Sequence, residues 1–157
     1  MKRLLCTLFM ACIAFMAAAQ NEQDFAERYM KLYGEGTSLQ CTTVSPLMIE
    51  RILQLPASRD LGHVKEVLEQ LKSIRIVSSS EPDRNSGFYE KASKLAKDNP
   101  RRYKPHSEQE GSSIYLRKRG KLIVELVLLN QGEGGNFTIV DLTGNMTEAF
   151  LRELTNI

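Results

Sequence analysis

Residues 121–129 read KLIVELVLL, and this segment restricts the fold more than any other part of the chain. A β-strand points alternate side chains to opposite faces. Leu122, Val124, Leu126 and Leu128 then share one face, and Ile123, Val127 and Leu129 share the other. A strand that is apolar on both faces belongs where both are covered. The segment is expected at the centre of a sheet, with its apolar residues in the core. On that reading Val124→Asp buries an unpaired charge and destabilises severely.

The flanking segments supply the rest of the sheet and its covering layers. Residues 102–109 and 113–119 surround Glu110-Gly111, a hairpin signal, and 137–143 reads as a last strand after a turn at 132–136. Upstream, β-branched residues mark a strand over 37–44, and Ile74-Arg75-Ile76-Val77 marks a short one. Residues 21–33 read as a helix with Phe25, Tyr29, Leu32 and Tyr33 on one stripe, ended by Gly34-Glu35-Gly36. Ser45-Pro46 opens another, whose buried face is Met48, Ile49, Ile52, Leu53 and Leu55, stopped by Pro56. Asp60 caps a third with Leu61, Val64, Leu68 and Leu71 in register. Serines, Pro82, Asp83 and Asn85 make 78–86 a loop. Phe88, Ala92, Leu95 and Ala96 mark a fourth helix, ending near Asn99-Pro100. Asn145 with Glu148 starts a fifth in the manner of a capping box, carrying Met146, Phe150, Leu151 and Leu154. The order argues an α+β fold, a mostly antiparallel sheet with amphipathic helices packed on it.

The first residues, MKRLLCTLFMACIAFMAAAQ, read as a secretory signal peptide over 1–19. Lys2 and Arg3 form the charged start, residues 4–16 the apolar stretch, and Ala17-Ala18-Ala19 the cleavage site. Phe9, Met10 and Ala11 make a poor lipoprotein signal before Cys12, so an exported periplasmic or secreted protein is expected rather than a lipoprotein. Residues 20–157 then form a single domain. Removing 19 of 157 residues leaves 138; it removes two basic residues of 21, leaving 19 against 19 acidic ones and a net charge of zero. Cys41 is the one cysteine remaining, so no internal disulfide can form and the fold rests on its apolar core. No later apolar run of roughly 20 residues exists to span a membrane.

Chemistry-bearing motifs are scarce. His63 and His106 are the two histidines, and with Cys41 they show no metal-ligand spacing. His63 reads as a solvated residue of a first helical turn and His106 as an edge-strand residue. Cys41, in phase with Leu39, reads as a small buried apolar residue or, alternatively, as an exposed thiol joining two chains. Ser78-Ser79-Ser80 lies in no nucleophile elbow, and Gly132-Glu133-Gly134-Gly135 is a turn rather than a phosphate cradle. No catalytic, cofactor or metal residues are expected.

Charge placement is more informative. Between 101 and 121 stand Arg101, Arg102, Lys104, Arg117, Lys118, Arg119 and Lys121 against Glu108 and Glu110, a local +5. A hairpin turning at Glu110-Gly111 sets Lys104 near Arg117 and Arg102 near Arg119. Facing like charges are mildly unfavourable. They mark either an edge protected from aggregation or a surface for an anion. Little aromatic interleaving beyond Tyr103 and Tyr115 argues against nucleic acid.

The combination of TTVSPLM at 42–48, LKSIRIVSS at 71–79, FYEKASKLAK at 88–97, GSSIYLRKRGKLIVELVLL at 111–129 and FTIVDLTGN at 137–145 resembles the DUF4252 family, small exported proteins common in Bacteroidetes. The resemblance extends over essentially all of residues 20–157. It implies an exported α+β domain and carries over no catalytic residues. The expected function is a non-catalytic extracytoplasmic binding or interaction domain of the cell envelope. Its partner would be an envelope protein or an anionic glycan or lipid surface. The alternatives are a small extracytoplasmic hydrolase without a recognisable motif, or an accessory of envelope signalling.

Overall fold

The computed structural model describes residues 22–54, 62–79 and 87–155. The leader at 1–19, the helix stop and cap at 55–61 and most of the serine-rich loop lie outside them. Helix α1 spans Phe25–Tyr33, β1 Leu39–Val44, α2 Pro46–Gln54, α3 Gly62–Glu69, β2 Leu71–Ser79 and α4 Phe88–Lys97. Then follow β3 (Lys104–Gln109), β4 (Ser112–Arg119), β5 (Leu122–Gln131), β6 (Phe137–Met146) and α5 (Glu148–Thr155). The six strands form one sheet in the order β1-β2-β6-β5-β4-β3, and every neighbouring pair is antiparallel. The α+β fold expected from the sequence is the fold observed.

The sheet is covered on both faces. On one side Phe25, Ala26 and Tyr29 of α1 and Phe88, Ala92, Leu95 and Ala96 of α4 pack on Val77, Tyr115, Val127, Leu129, Phe137 and Ile139. On the other, Ile49 of α2 and Phe150 and Leu151 of α5 pack on Leu116, Ile123, Leu126, Leu142 and Met146. β5 is central, as its sequence demands, and joins both cores.

Its alternation is interrupted, however. Arg117 of β4 pairs with Glu125 and the next residue, Lys118, pairs with Ile123. Val124 is therefore an extra residue in β5, a β-bulge. The bulge moves Ile123 onto the Leu126 face and leaves Val124 half-buried beside a cleft. Val124 is thus no core residue, and the severe cost expected for Val124→Asp does not apply there.

Other expectations shift for equally local reasons. Only Ile49 of α2 is fully buried; Leu47, Met48 and Ile52 are exposed, because α2 lies towards the β1 edge and is covered on one side. Leu32 is likewise exposed at the end of α1. α5 is capped by Thr147, whose hydroxyl accepts from the Phe150 N–H at 3.2 Å, because Asn145 is still in β6. Cys41 is exposed on the edge strand β1, not buried. His106 is exposed at a bulge in β3, the other edge. His63 falls in the first turn of α3. Gly144 is required by close approach: a Cβ there would lie 2.1 Å from the Gln70 carbonyl oxygen.

Candidate functional site

The site begins with the end of a helix. The first N–H groups of an α-helix lack intrahelical acceptors. In α1 three carboxylates take them in succession. Glu125 Oε1 accepts from the Phe25 N–H at 2.6 Å, Asp141 Oδ2 from the Ala26 N–H at 2.7 Å, and Asp24 Oδ1 from the Glu27 N–H at 2.8 Å. Asp24 is the ordinary N-cap, since a short side chain just outside the helix can fold back on it. Glu125 and Asp141 come instead from the sheet. They lie on the neighbouring strands β5 and β6, on the face that α1 covers, and both are fully buried. Helix α1 sets its partly positive terminus against two acids of the sheet.

Arginines surround these acids. Arg117 sits opposite Glu125 in the β4–β5 register, and its Nε lies 2.6 Å from Glu125 Oε2, an ion contact without hydrogen-bond alignment. Arg102 Nη2 stands 3.7 Å from the same oxygen, and the Tyr103 hydroxyl donates to Glu125 Oε1 at 3.2 Å. Arg75 of β2, opposite Asp141 in the β2–β6 register, binds Asp24 at 2.7 Å and Glu27 at 3.6 Å. Asp141 Oδ1 has no hydrogen-bond partner among the described residues.

Proton affinities follow from this geometry. Burial pushes the Glu125 carboxyl above its ordinary range, against the pull of Arg117, the Phe25 N–H and Arg102. Burial, with the neighbouring Glu125 charge, raises Asp141 well above its ordinary value despite the Ala26 N–H. Burial also raises the Tyr103 phenol, and the Glu125 charge adds to it. The two acids are buried and bond the first N–H groups of α1, so they anchor that helix to the sheet.

Beside this anchor opens a cleft of about 880 Å³. Lys72, Arg75, Arg117 and Arg119 supply its cations, Glu22, Asp24 and Glu27 its anions, and Val124 and Gly144 part of its wall. Glu22 precedes α1 and touches three arginines. Its carboxylate binds Arg117 directly and lies 4.0 Å from both Arg102 and Arg119. The bond from Arg117 holds the Glu22 carboxyl below its usual range, helped by the charges of Arg102 and Arg119.

All seven cations expected to form an anion-binding edge gather at one end of the sheet, but they divide into two groups. Arg102 and Arg117 are turned inwards to Glu125 and are mostly buried, with side-chain exposures of 23% and 16%. Lys118 pairs with Glu148, and among the described carboxylates Arg119 reaches Glu22 alone. Arg101, Lys104 and Lys121 are exposed, and no described carboxylate lies within 4 Å of them. The like-charge pairing expected across the hairpin does not occur. Lys104 pairs with Leu116, and Arg102 lies in the turn before β3, because β3 is shorter than its sequence pattern and carries a bulge. Arg117 instead faces an opposite charge across the β4–β5 pair, a favourable arrangement.

Lys72, Arg75, Glu22, Glu125 and Asp141 were not among the expected site residues. The signal for the last two was present. Each is a lone acid inside an otherwise apolar strand, LIVELVLL and FTIVDL. No group of three metal-ligating side chains exists among the described residues.

Fold and site together define a helix-covered antiparallel sheet with a charged cleft at one end, built around a helix anchored by buried acids. The chain belongs to the family described as "Domain of unknown function (DUF4252)", which matches residues 33–154. The match starts at Tyr33, so Glu22, Asp24 and most of α1 precede it, a narrower span than the resemblance implied. No curated protein and no solved structure matches the chain.

Proposed function

We propose that this protein is a non-catalytic binding domain of the cell envelope, exported on its leader, that contacts an anionic glycan or lipid surface through the cation-rich end of its sheet. The carrying observation is the division of charge. Buried Glu125 holds Arg102 and Arg117 in place, while Arg101, Lys104 and Lys121 remain exposed without a described carboxylate nearby, and Lys72 and Arg119 line the cleft. Clustered exposed cations at one end of a domain whose net charge is zero attract an anionic surface over several ångströms, and salt weakens that attraction.

The test is sedimentation with vesicles of phosphatidylcholine containing phosphatidylglycerol. Binding at low salt that fades as salt rises is expected. Replacing Arg101, Lys104 and Lys121 with Gln removes most of it and leaves the melting temperature unchanged. Arg102 and Arg117 are left intact, because replacing them strips the buried Glu125 of its partners. No sedimentation at low salt, or equal sedimentation of the triple variant, overturns the reading.

A further inference from the structure

We infer that Arg102, Arg117 and Arg119 form a binding site for a doubly charged tetrahedral oxyanion, phosphate or sulfate, free or as an ester, and that Glu22 occupies this site in cis until the anion displaces it. The inference deepens the reading above, locating within the cation-rich end the place where one anionic group is gripped.

Convergence is the first ground. Three guanidinium groups meet one carboxylate. A surface ion pair needs a single partner and contributes little to stability. Three planar forks around one point are the arrangement that recognises an oxyanion with several acceptor oxygens.

Preorganisation is the second. Arg117 is fixed from behind by Glu125, which is fully buried and locked by the Phe25 N–H. Arg102 is held by Glu125 and by its Nε donating to the Tyr103 hydroxyl at 2.9 Å. It also donates from Nη2 to the Gln23 carbonyl. Such support from a second layer sets a recognition group before the ligand arrives.

Charge balance is the third. With Glu22 withdrawn, Arg102 and Arg117 share Glu125 and Arg119 keeps no described carboxylate within 4 Å, a surplus of two positive charges that a dianion satisfies and a single carboxylate does not. Lys72 lines the same cleft, exposed and without a described carboxylate within 4 Å.

Glu22 itself fits a displaceable occupant. It lies ahead of the N-cap in neither helix nor strand, and its side chain is 58% exposed. The buried acids behind the arginines have no comparable freedom.

The experiment is calorimetric titration of the folded protein with inorganic phosphate, and separately with inorganic sulfate, at low ionic strength. Glu22→Gln removes the internal competitor and is expected to tighten binding about fivefold, equivalent to about 1 kcal/mol. Arg119→Gln is expected to weaken it by a similar factor without lowering the melting temperature, since the Arg119 side chain is largely exposed and Glu22 is its one ion partner among the described residues. A third measurement follows the Glu22 carboxyl by NMR. Saturating phosphate returns its depressed pKa towards the ordinary range. Equal or weaker binding by Glu22→Gln, unchanged binding by Arg119→Gln, or a Glu22 pKa indifferent to phosphate overturns the site. Vesicle binding without phosphate binding overturns the site and leaves the surface reading standing; phosphate binding without vesicle binding does the reverse. Phosphatidic acid vesicles compared with inorganic phosphate tell a lipid ester from the free ion.

Discussion

Glu125 and Leu126 are adjacent on β5 and both fully buried, yet they face opposite layers with opposite requirements. Leu126 looks onto Ile123, Leu142, Met146, Phe150 and Leu151, a layer without charge. Glu125 looks onto a helix end, two arginines and a tyrosine. The difference lies in how the helices dock. α5 caps its own start with Thr147 and packs Phe150 and Leu151 on the sheet. α1 buries its own start against the sheet, and the Phe25 and Ala26 N–H groups find their acceptors there. Burial therefore demands a partner rather than apolarity as such.

The sharpest way to break this comparison is to carry the acid across the strand. Leu126→Asp places a carboxylate where no donor waits, and a loss of more than about 4 kcal/mol, amounting to unfolding, is expected in urea titration. Val124→Asp, two residues away but turned to the cleft, should cost no more than about 1 kcal/mol. Comparable losses would mean that the bulge does not reorient β5.

Next in size is removal of the partner on the charged side. Arg117→Gln leaves the buried Glu125 with Arg102, 3.7 Å away, as its remaining described cation, and about 3 kcal/mol should be lost at neutral pH. Glu125 can escape the penalty by taking a proton. The loss should therefore shrink in acid, measured as denaturation midpoints across pH, and a pH-independent loss would assign Arg117 a packing role alone.

Backbone approach comes third. Gly144→Ala drives a methyl group into the Gln70 carbonyl where β2 and β6 meet beside the cleft. About 2 kcal/mol is expected, within the usual range for overpacking, read as a fall in melting temperature.

Much of this architecture was legible in the sequence because it depends on local pattern. The two-faced apolar run of β5, the Ser45-Pro46 helix start and the Phe88, Ala92, Leu95 and Ala96 stripe all repeat with the period of their element. The site was less legible because it depends on register. Reading Arg117 against its hairpin partner in β3 made it a repelled surface charge. Its partner in β5 is Glu125, and that pairing turns it into the clasp on a buried acid. Arg75 and Asp141 meet across β2 and β6 although 66 positions separate them in sequence, and no local window holds both. Glu125 could have been noticed alone, as the one charge in phase with Val127 and Leu129, but what it serves lies a hundred residues away at Phe25.

The smallest expected effect concerns Asp141, which separates the two buried acids from each other. Glu125 has arginines close by, whereas Asp141 has the Ala26 N–H and faces further negative charge from Glu125 on β5 and Asp24 ahead of α1, with Arg75 of β2 as the opposing cation. Its folded pKa is raised above the ordinary 3.8, so the folded state keeps a proton that the unfolded chain releases. Where the folded state binds more protons, stability falls as pH rises. The decline should begin at the ordinary value and continue up to the raised one. Asp141→Asn keeps an oxygen for the Ala26 N–H and removes the titration. Below the ordinary pKa, variant and wild type should be nearly equal in stability. With rising pH the variant should gain on the wild type, because only the wild type must give up the proton that burial holds on Asp141. Chemical denaturation of both proteins at several pH values measures the gap. A variant that is weaker by the same amount at every pH would show that Arg75 keeps Asp141 ionised. The anchor of α1 would then be an ion-paired cluster throughout rather than one in which Asp141 holds its proton more tightly than a free carboxyl does.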